Sequence, residues 1–152
     1  MKLIGRVILT VLALGCTSAH AQSVGSAPAT ERETGPPLEG TTWAITSFNT
    51  AQKAMVSPVT GTSLTIKLKD GVVSGKSGCN NFSGSYTVNG GTIALTPLAS
   101  TRKACQDEAL AAQEQQVLAA IQSAVSWTVH DGLLDLVRPD GARALTAHPS
   151  SR

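Results

Sequence analysis

The chain has 152 residues, is 41% hydrophobic and 14% charged, and carries two Trp, two Phe and one Tyr as its aromatics. Two of its 12 basic residues, Lys2 and Arg6, lie in the N-terminal segment, and the remaining ten face 10 acidic ones, so the formal +2 vanishes once that segment is set aside. A near-neutral chain with no basic stripe excludes a nucleic-acid partner, which needs a clustered positive face, and the length suits one domain around one core.

In chain order, the first feature is a signal. Val7 to Gly15 (VILTVLALG) is apolar and uncharged, but shorter than the roughly 20 residues of a membrane span. With a basic start before it and small residues after it, the run predicts a secretory signal over residues 1–21. Two exits compete. Ala19-His20-Ala21 is an A-x-A site that releases a chain starting at Gln22. Leu12-Ala13-Leu14-Gly15-Cys16 is a loose lipobox in which Cys16 would be acylated; Ala13 and Leu14 stand where Leu and a small residue are wanted, so the A-x-A site fits better. Both exits place the protein outside the cytoplasm, in the periplasm, with membrane attachment only if Cys16 is lipidated. Residues 22–37 (QSVGSAPATERETGPP) have almost nothing to bury and read as a flexible leader. The folded domain is expected over residues 38–148, with a frayed tail after it.

Strand patterns dominate that domain. Thr42 to Phe48 is the first. Leu64, Ile66 and Leu68 alternate with Thr65, Lys67 and Lys69, the period of two of a strand with one buried face. Asp70-Gly71 predicts a tight hairpin turn into Val72 and Val73. Phe82, Gly84, Tyr86 and Val88 alternate with Ser83, Ser85 and Thr87, and Asn89-Gly90 turns this strand back into Thr92 to Leu95. Asp107 to Ala124 then changes period: it is rich in Ala, Leu, Gln and Glu, the strong helix formers. Leu110, Val117, Ile121 and Val125, the last just past its end, with Leu118 beside them, mark its apolar face, and Asp107 and Glu108 complement the dipole of the first turn. Three more strands follow, Trp127 to Val129, Leu133 to Val137 and Ala142 to Ala147, the last two joined by a turn at Arg138-Pro139-Asp140-Gly141. The expected fold class is α+β, a curled antiparallel sheet or partial β-barrel of about eight strands with one helix packed over an opening or face.

Several short patterns imitate catalytic or binding motifs. Gly71-Val-Val-Ser-Gly75-Lys76-Ser77 has three residues between its glycines where a phosphate-binding loop needs four, and no helix follows it; it reads as a mobile polar loop. Ser100-Thr101-Arg102-Lys103 matches S-x-x-K, and Lys76-Ser77-Gly78 resembles K-T-G, but the order is reversed and S-D-N is missing. A Cys–His pair of Cys79 with His130 or His148 is the stronger enzyme reading. It lacks an orienting third group, and the parity of His130 points it away from the core. Neither C-x-x-C nor H-x-x-x-H spacing is present for a metal. No catalytic, cofactor or metal residue is therefore assigned, and no cofactor is expected.

With Cys16 removed or acylated, Cys79 and Cys105 remain, and in an oxidising compartment they most simply form a disulfide. Its loop of about 27 residues would contribute roughly 3–4 kcal/mol in the chain-entropy model.

Three motifs together resemble the META/HslJ domain family. Gly78-Cys79-Asn80-Asn81-Phe82-Ser83-Gly84-Ser85-Tyr86 is similar to its G-C-N-x-F-x-G-x-Y signature. Thr101-Arg102-Lys103-Ala104-Cys105 resembles its T-x-M-A-C box, with Lys103 where Met is usual. Leu38-Glu39-Gly40-Thr41-Thr42-Trp43 resembles its L-x-G-T-x-W opening. The resemblance implies a small α+β domain of the bacterial envelope, non-enzymatic, associated with stress response (heat shock) and novobiocin-type antibiotic tolerance, with unidentified envelope proteins as partners. It carries no catalytic residue. The signature implies structural roles: Gly78 and Gly84 for tight backbone, Phe82 and Tyr86 for core, and Asn80 for capping a turn, with Trp43, Thr101 and the two cysteines completing the motif. A curled sheet under a helix also leaves room for an alternative, a carrier holding a small apolar ligand in a half-barrel pocket.

Overall fold

The computed structural model describes residues 35–105 and 107–151. The expected signal, its two candidate exit sites including Cys16, and nearly all of the expected leader lie outside the described residues. Ten strands and one helix follow in order: β1 (Thr42–Asn49), β2 (Met55–Val56), β3 (Leu64–Lys69), β4 (Val72–Ser77), β5 (Asn81–Asn89), β6 (Thr92–Leu95), β7 (Ala99–Ser100), α1 (Glu108–Gln122), β8 (Ser126–His130), β9 (Leu133–Val137) and β10 (Arg143–Pro149).

The sheet is more than a curled or partial barrel. Strands run β1-β3-β4-β5-β6-β8-β9-β10, and β10 returns to pair with β1, so eight antiparallel strands close on themselves. The two-residue strands β2 and β7 attach outside this ring, to β1 and β5. Closure removes the exposed edges that an open sheet would present. The β1–β10 seam is long, running from Trp43 opposite Pro149 to Phe48 opposite Leu145 with one register shift between Ile45 and Ser47. The β6–β8 seam is narrow, with Thr92 opposite Ser126 and hydrogen bonds from Ile93 N to Val125 O (3.0 Å) and Trp127 N to Gly91 O (2.9 Å).

The alternations of β3 and β5 hold: Leu64, Ile66 and Leu68 are buried, as are Phe82 and Tyr86. In β1 the period of two breaks. A bulge between Ile45 and Ser47 shifts the inward parity from Trp43 and Ile45 to Phe48, and strict alternation would have turned Ser47 inward instead. Asp70 (φ 51°) and Gly71 (φ 78°) form the β3–β4 turn, and Asp131 (φ 49°) and Gly132 (φ 75°) the β8–β9 turn, the paired left-handed residues that match strand twist. The β5–β6 turn lies one residue later than expected, at Gly90-Gly91, because Asn89 still pairs with Thr92.

Gly-Lys-Ser is not a mobile loop. Gly75, Lys76 and Ser77 complete β4, and Ser77 is fully buried. The strand continues because Gly75 has no side chain: a Cβ there would stand 1.9 Å from Thr65 O and 2.7 Å from the Phe82 ring. Phe82, opposite Gly75 in β5, covers the glycine and supplies the packing it lacks.

Helix α1 starts one residue inside the expected span. Asp107 is its N-cap, its carboxylate accepting from Ala109 N at 2.8 Å, which satisfies one of the orphan amides of the first turn. Val117, Ala120 and Ile121 enter the core. Val125 does not: the helix is capped at Ser123, so Val125 falls beyond it and is 42% exposed, while Ala124 is buried in its place. The helix packs against β1, β4 and β10 and closes one end of the barrel. The other end is covered by the segment entering β1, where Trp43 Nε1 donates to Leu38 O (3.1 Å), Gly40 N donates to Leu68 O (2.8 Å), and Tyr86 hydrogen-bonds Glu39. Between these ends the interior is filled by Trp43, Phe48, Ile66, Leu68, Leu134 and Leu136 among others, as an eight-stranded barrel has width enough for side chains and little more.

Candidate functional site

Most of the signature residues converge beside the N-terminal half of α1. A short turn from Ser77 to Asn80, closed by Ser77 N to Asn80 O (2.8 Å) and Ser77 Oγ to Asn80 O (2.9 Å), presents Cys79 and Asn80 to the segment that follows β7. Cys79 is joined to Cys105 by a disulfide, with Cα atoms 5.9 Å apart. Gly78 sits in the turn at φ 104°, and a Cβ on it would meet Gln113 Nε2 at 2.7 Å, so both the backbone and the helix above require glycine there.

Asn80 is the centre of the network. Its Oδ1 accepts from Thr101 Oγ1 (2.7 Å) and Lys103 N (2.9 Å). Its Nδ2 donates to Glu114 Oε2 (2.8 Å) and Lys103 O (3.2 Å), and lies 3.7 Å from Cys79 Sγ. One buried amide thus binds the turn, the Thr101–Lys103 segment and the helix. Glu114 Oε1 accepts in addition from Ser100 Oγ (2.8 Å). These residues line an open cleft of about 570 Å³ between α1 and the 98–105 segment, with Arg102 and Lys103 on its rim and Leu98 and Leu118 as apolar lining.

Phe82 and Tyr86 are buried in the barrel, Gly84 lies under Leu98, and Trp43 is buried at the opposite end. Burial, followed by the hydrogen bond to Glu39, raises the Tyr86 phenol to about 12. Ser100 and Lys103 of the S-x-x-K pattern share the cleft but are turned to other partners, Ser100 to Glu114 and the Lys103 backbone to Asn80. His130 makes its contacts away from Cys79. Its Nε2 lies 3.0 Å from Asp135 Oδ2, and that hydrogen bond raises the imidazole above its usual value. Asp135 is itself buried and accepts from Thr146 Oγ1 (2.5 Å). His148 Nδ1 faces Pro149 O at 2.9 Å.

Two residues of this end escape a reading of the sequence. Gln113 is buried on the helix face that periodicity reserves for apolar side chains. It accepts from Val59 N (2.6 Å) and donates to Thr62 Oγ1 (3.3 Å), holding the loop between β2 and β3 to the helix. The signal was its place four residues before Val117. Glu114, one position on, carried no signal until Asn80 and the disulfide were placed opposite it.

A second cleft, of about 620 Å³ and mostly apolar, opens at the other end of the barrel, lined by Pro36, Pro37, Leu38, Trp127, Thr128 and Val129. Trp127 Nε1 is buried without a hydrogen-bond partner among the described residues.

The META domain family model matches residues 36–151. Among solved structures, a protein from Burkholderia xenovorans, determined by NMR, is 24% identical with a TM-score of 0.61, over 85% of this chain and 100% of that one. A second NMR structure is 21% identical with a TM-score of 0.54, over 72% of this chain and 88% of the other. Both likenesses concern the fold. No curated protein matches the chain.

Proposed function

The chain belongs to the META domain family, and from that premise we propose that it is an exported, non-catalytic envelope protein that acts through protein contacts made at the disulfide-framed cleft. The observation that carries this reading is the convergence of Asn80, Thr101 and Cys105 on one open cleft, with Cys79 bridged to Cys105 behind it. Asn80 there ties together segments far apart in the chain, and Arg102 and Lys103 stand exposed beside it. The disulfide supports an oxidising compartment, hence the periplasm, reached through the signal at residues 1–21 or, if Cys16 is acylated, as a lipoprotein. The family resemblance ties the role to stress response and to novobiocin-type tolerance. Cys79, the nucleophile of the competing enzyme reading, is engaged in the bridge.

The test places a photo-crosslinking amino acid at Gln115, which lines the cleft, in the intact envelope. Capture of a defined partner, lost when Arg102 and Lys103 are both changed to Glu, is the expected result. Capture of abundant neighbours alone, unchanged by those substitutions, would sink the reading. Survival in novobiocin of cells carrying the same double variant, against wild type, tests the tolerance role.

A second reading, a carrier for a small apolar ligand, is favoured by the apolar cleft at the opposite end. The barrel interior itself is packed, so a ligand would sit at this mouth, against Trp127. Titration with a long-chain fatty acid should then change tryptophan fluorescence in the wild type and not in Trp127→Phe. Equal changes in both would count against it.

A further inference from the structure

Beside the polar cleft, two sulfurs and a carboxylate stand close enough together to share one ion. The Sγ atoms of Cys79 and Cys105 and a carboxylate oxygen of Glu114 lie within 4.8 Å of one another, all on half-buried residues. The closeness of the two sulfurs follows from the bridge. The carboxylate has no such obligation to be there. Helix α1 brings it in, and it is held from both sides, Oε1 by Ser100 Oγ and Oε2 by Asn80 Nδ2, each at 2.8 Å, with Cys105 Sγ 3.9 Å from Oε2. A carboxylate gains no hydrogen bond from a disulfide, and beside two thiols it opposes their ionisation. A divalent cation reverses both effects, because it deprotonates thiols outright and turns the third anion into a ligand. Outer hydrogen bonds that fix a ligand's orientation, as Ser100 and Asn80 fix Glu114, are the usual support of a metal site.

We propose that reduction of the Cys79–Cys105 bridge converts this end of the cleft into a zinc site with Cys79, Cys105 and Glu114 as its protein ligands. An exogenous dithiol supplies two electrons and two protons: the S–S bond breaks, both cysteines become thiols, and the dithiol leaves as its disulfide. Zn²⁺ then displaces the two thiol protons as two Zn–S bonds and one Zn–O bond form. On a tetrahedral zinc with Zn–S near 2.3 Å the sulfurs stand about 3.7 Å apart, which side-chain rotation allows with Cα atoms at 5.9 Å. Two thiolates select zinc over magnesium or calcium, and the open cleft leaves the fourth position to solvent. The same two segments are thus joined covalently when oxidised and through a metal when reduced. This inference does not depend on the envelope-contact reading.

The test uses the full chain carrying Cys16→Ser, reduced with a phosphine and titrated anaerobically with Co²⁺ alone, then Zn²⁺. Expected are one Co²⁺ per chain, thiolate charge-transfer absorption in the near ultraviolet, intense visible bands of tetrahedral cobalt, and displacement by Zn²⁺, with none of these in the oxidised chain. Glu114→Gln should weaken zinc by at least about tenfold and alter the visible bands, and Cys79→Ser with Cys105→Ser should abolish binding. Thermal unfolding is followed in parallel: zinc should raise the Tm of the reduced wild type more than that of Glu114→Gln, or refold the wild type if reduction unfolds it. Absence of the thiolate band, equal affinity in wild type and Glu114→Gln, or a reduced chain that zinc neither stabilises nor refolds would overturn the proposal.

Discussion

At one end of the barrel Val117, Ala120 and Ile121 of α1 press into the core, and Gln113, Asn80, Glu114 and a disulfide tie the helix region to the strands. At the other, a few residues before β1 cover the opening through the Trp43–Leu38, Gly40–Leu68 and Tyr86–Glu39 hydrogen bonds, beside an apolar cleft and an unpartnered indole N–H. The first end is cross-linked because a helix laid across strand ends leaves polar groups that must find partners away from water. The second is covered by a short segment held to β3 by a single isolated bridge, Glu39 to Leu68. The polar end is therefore fixed by side-chain bonds, and the apolar end by a few backbone and side-chain bonds before β1.

The largest expected effect tests whether the helix end is the stiffer one. Ile121→Ala should cost about 2–5 kcal/mol through lost burial and an unrelaxed cavity, with Leu38→Ala nearer the low end of that range because its surroundings can close over the gap. Urea denaturation of both variants ranks them, and a larger cost at Leu38 would invert the comparison. Reduction of the disulfide without added metal should cost roughly 3–4 kcal/mol. A melt unchanged by reductant would show that the helix end does not rely on its staple. Asn80→Ala should cost about 1–3 kcal/mol by leaving the Glu114 carboxylate and the Lys103 amide short of partners. A stability loss below about 0.5 kcal/mol would demote the network to surface decoration.

The smallest effect concerns the opposite end and is read by pH. Tyr86 is the chain's one tyrosine, and its phenol is raised to about 12 from the ordinary 10, first by burial and then by Glu39. The unfolded chain releases this proton first as pH rises. The Tyr86 contribution to stability is therefore complete below pH 10 and is lost as the pH climbs from there toward 12. The tyrosinate absorbance should show a midpoint near 12 in the folded protein and move part of the way back toward 10 in Glu39→Gln. A wild-type midpoint near 10 would mean that water already reaches this end.

Much of the strand layout was legible because neighbours in sequence are neighbours in the sheet. Leu64, Ile66 and Leu68 announce a buried face, Asp70-Gly71 a hairpin, and the Ala- and Gln-rich stretch from Asp107 a helix. The misreadings share one cause. Gly75 looked like loop because its strand-mate Phe82 supplies the missing side chain from across the sheet. Val125, just past the expected helix, continued its apolar period, but the cap at Ser123 turns the chain so that Ala124 is buried instead. The Asn89-Gly90 turn slipped by one residue because Asn89 still pairs with Thr92 across the sheet. The site was legible as a motif but not as a place: Cys79 and Asn80 are adjacent in the chain, whereas Glu114 enters only through contacts.

By itself the amino-acid sequence determined the family motifs, the hairpins, the helix and the two cysteines available for a bridge, since each rests on propensity, period or composition within a few residues. Only the tertiary structure decided that β10 returns to β1 and closes the barrel, and that Glu114 faces the disulfide. Those pairings join residues about a hundred and about ten to thirty-five positions apart. Such pairing depends on which surfaces remain to be buried once the local elements have formed, and no local pattern encodes that.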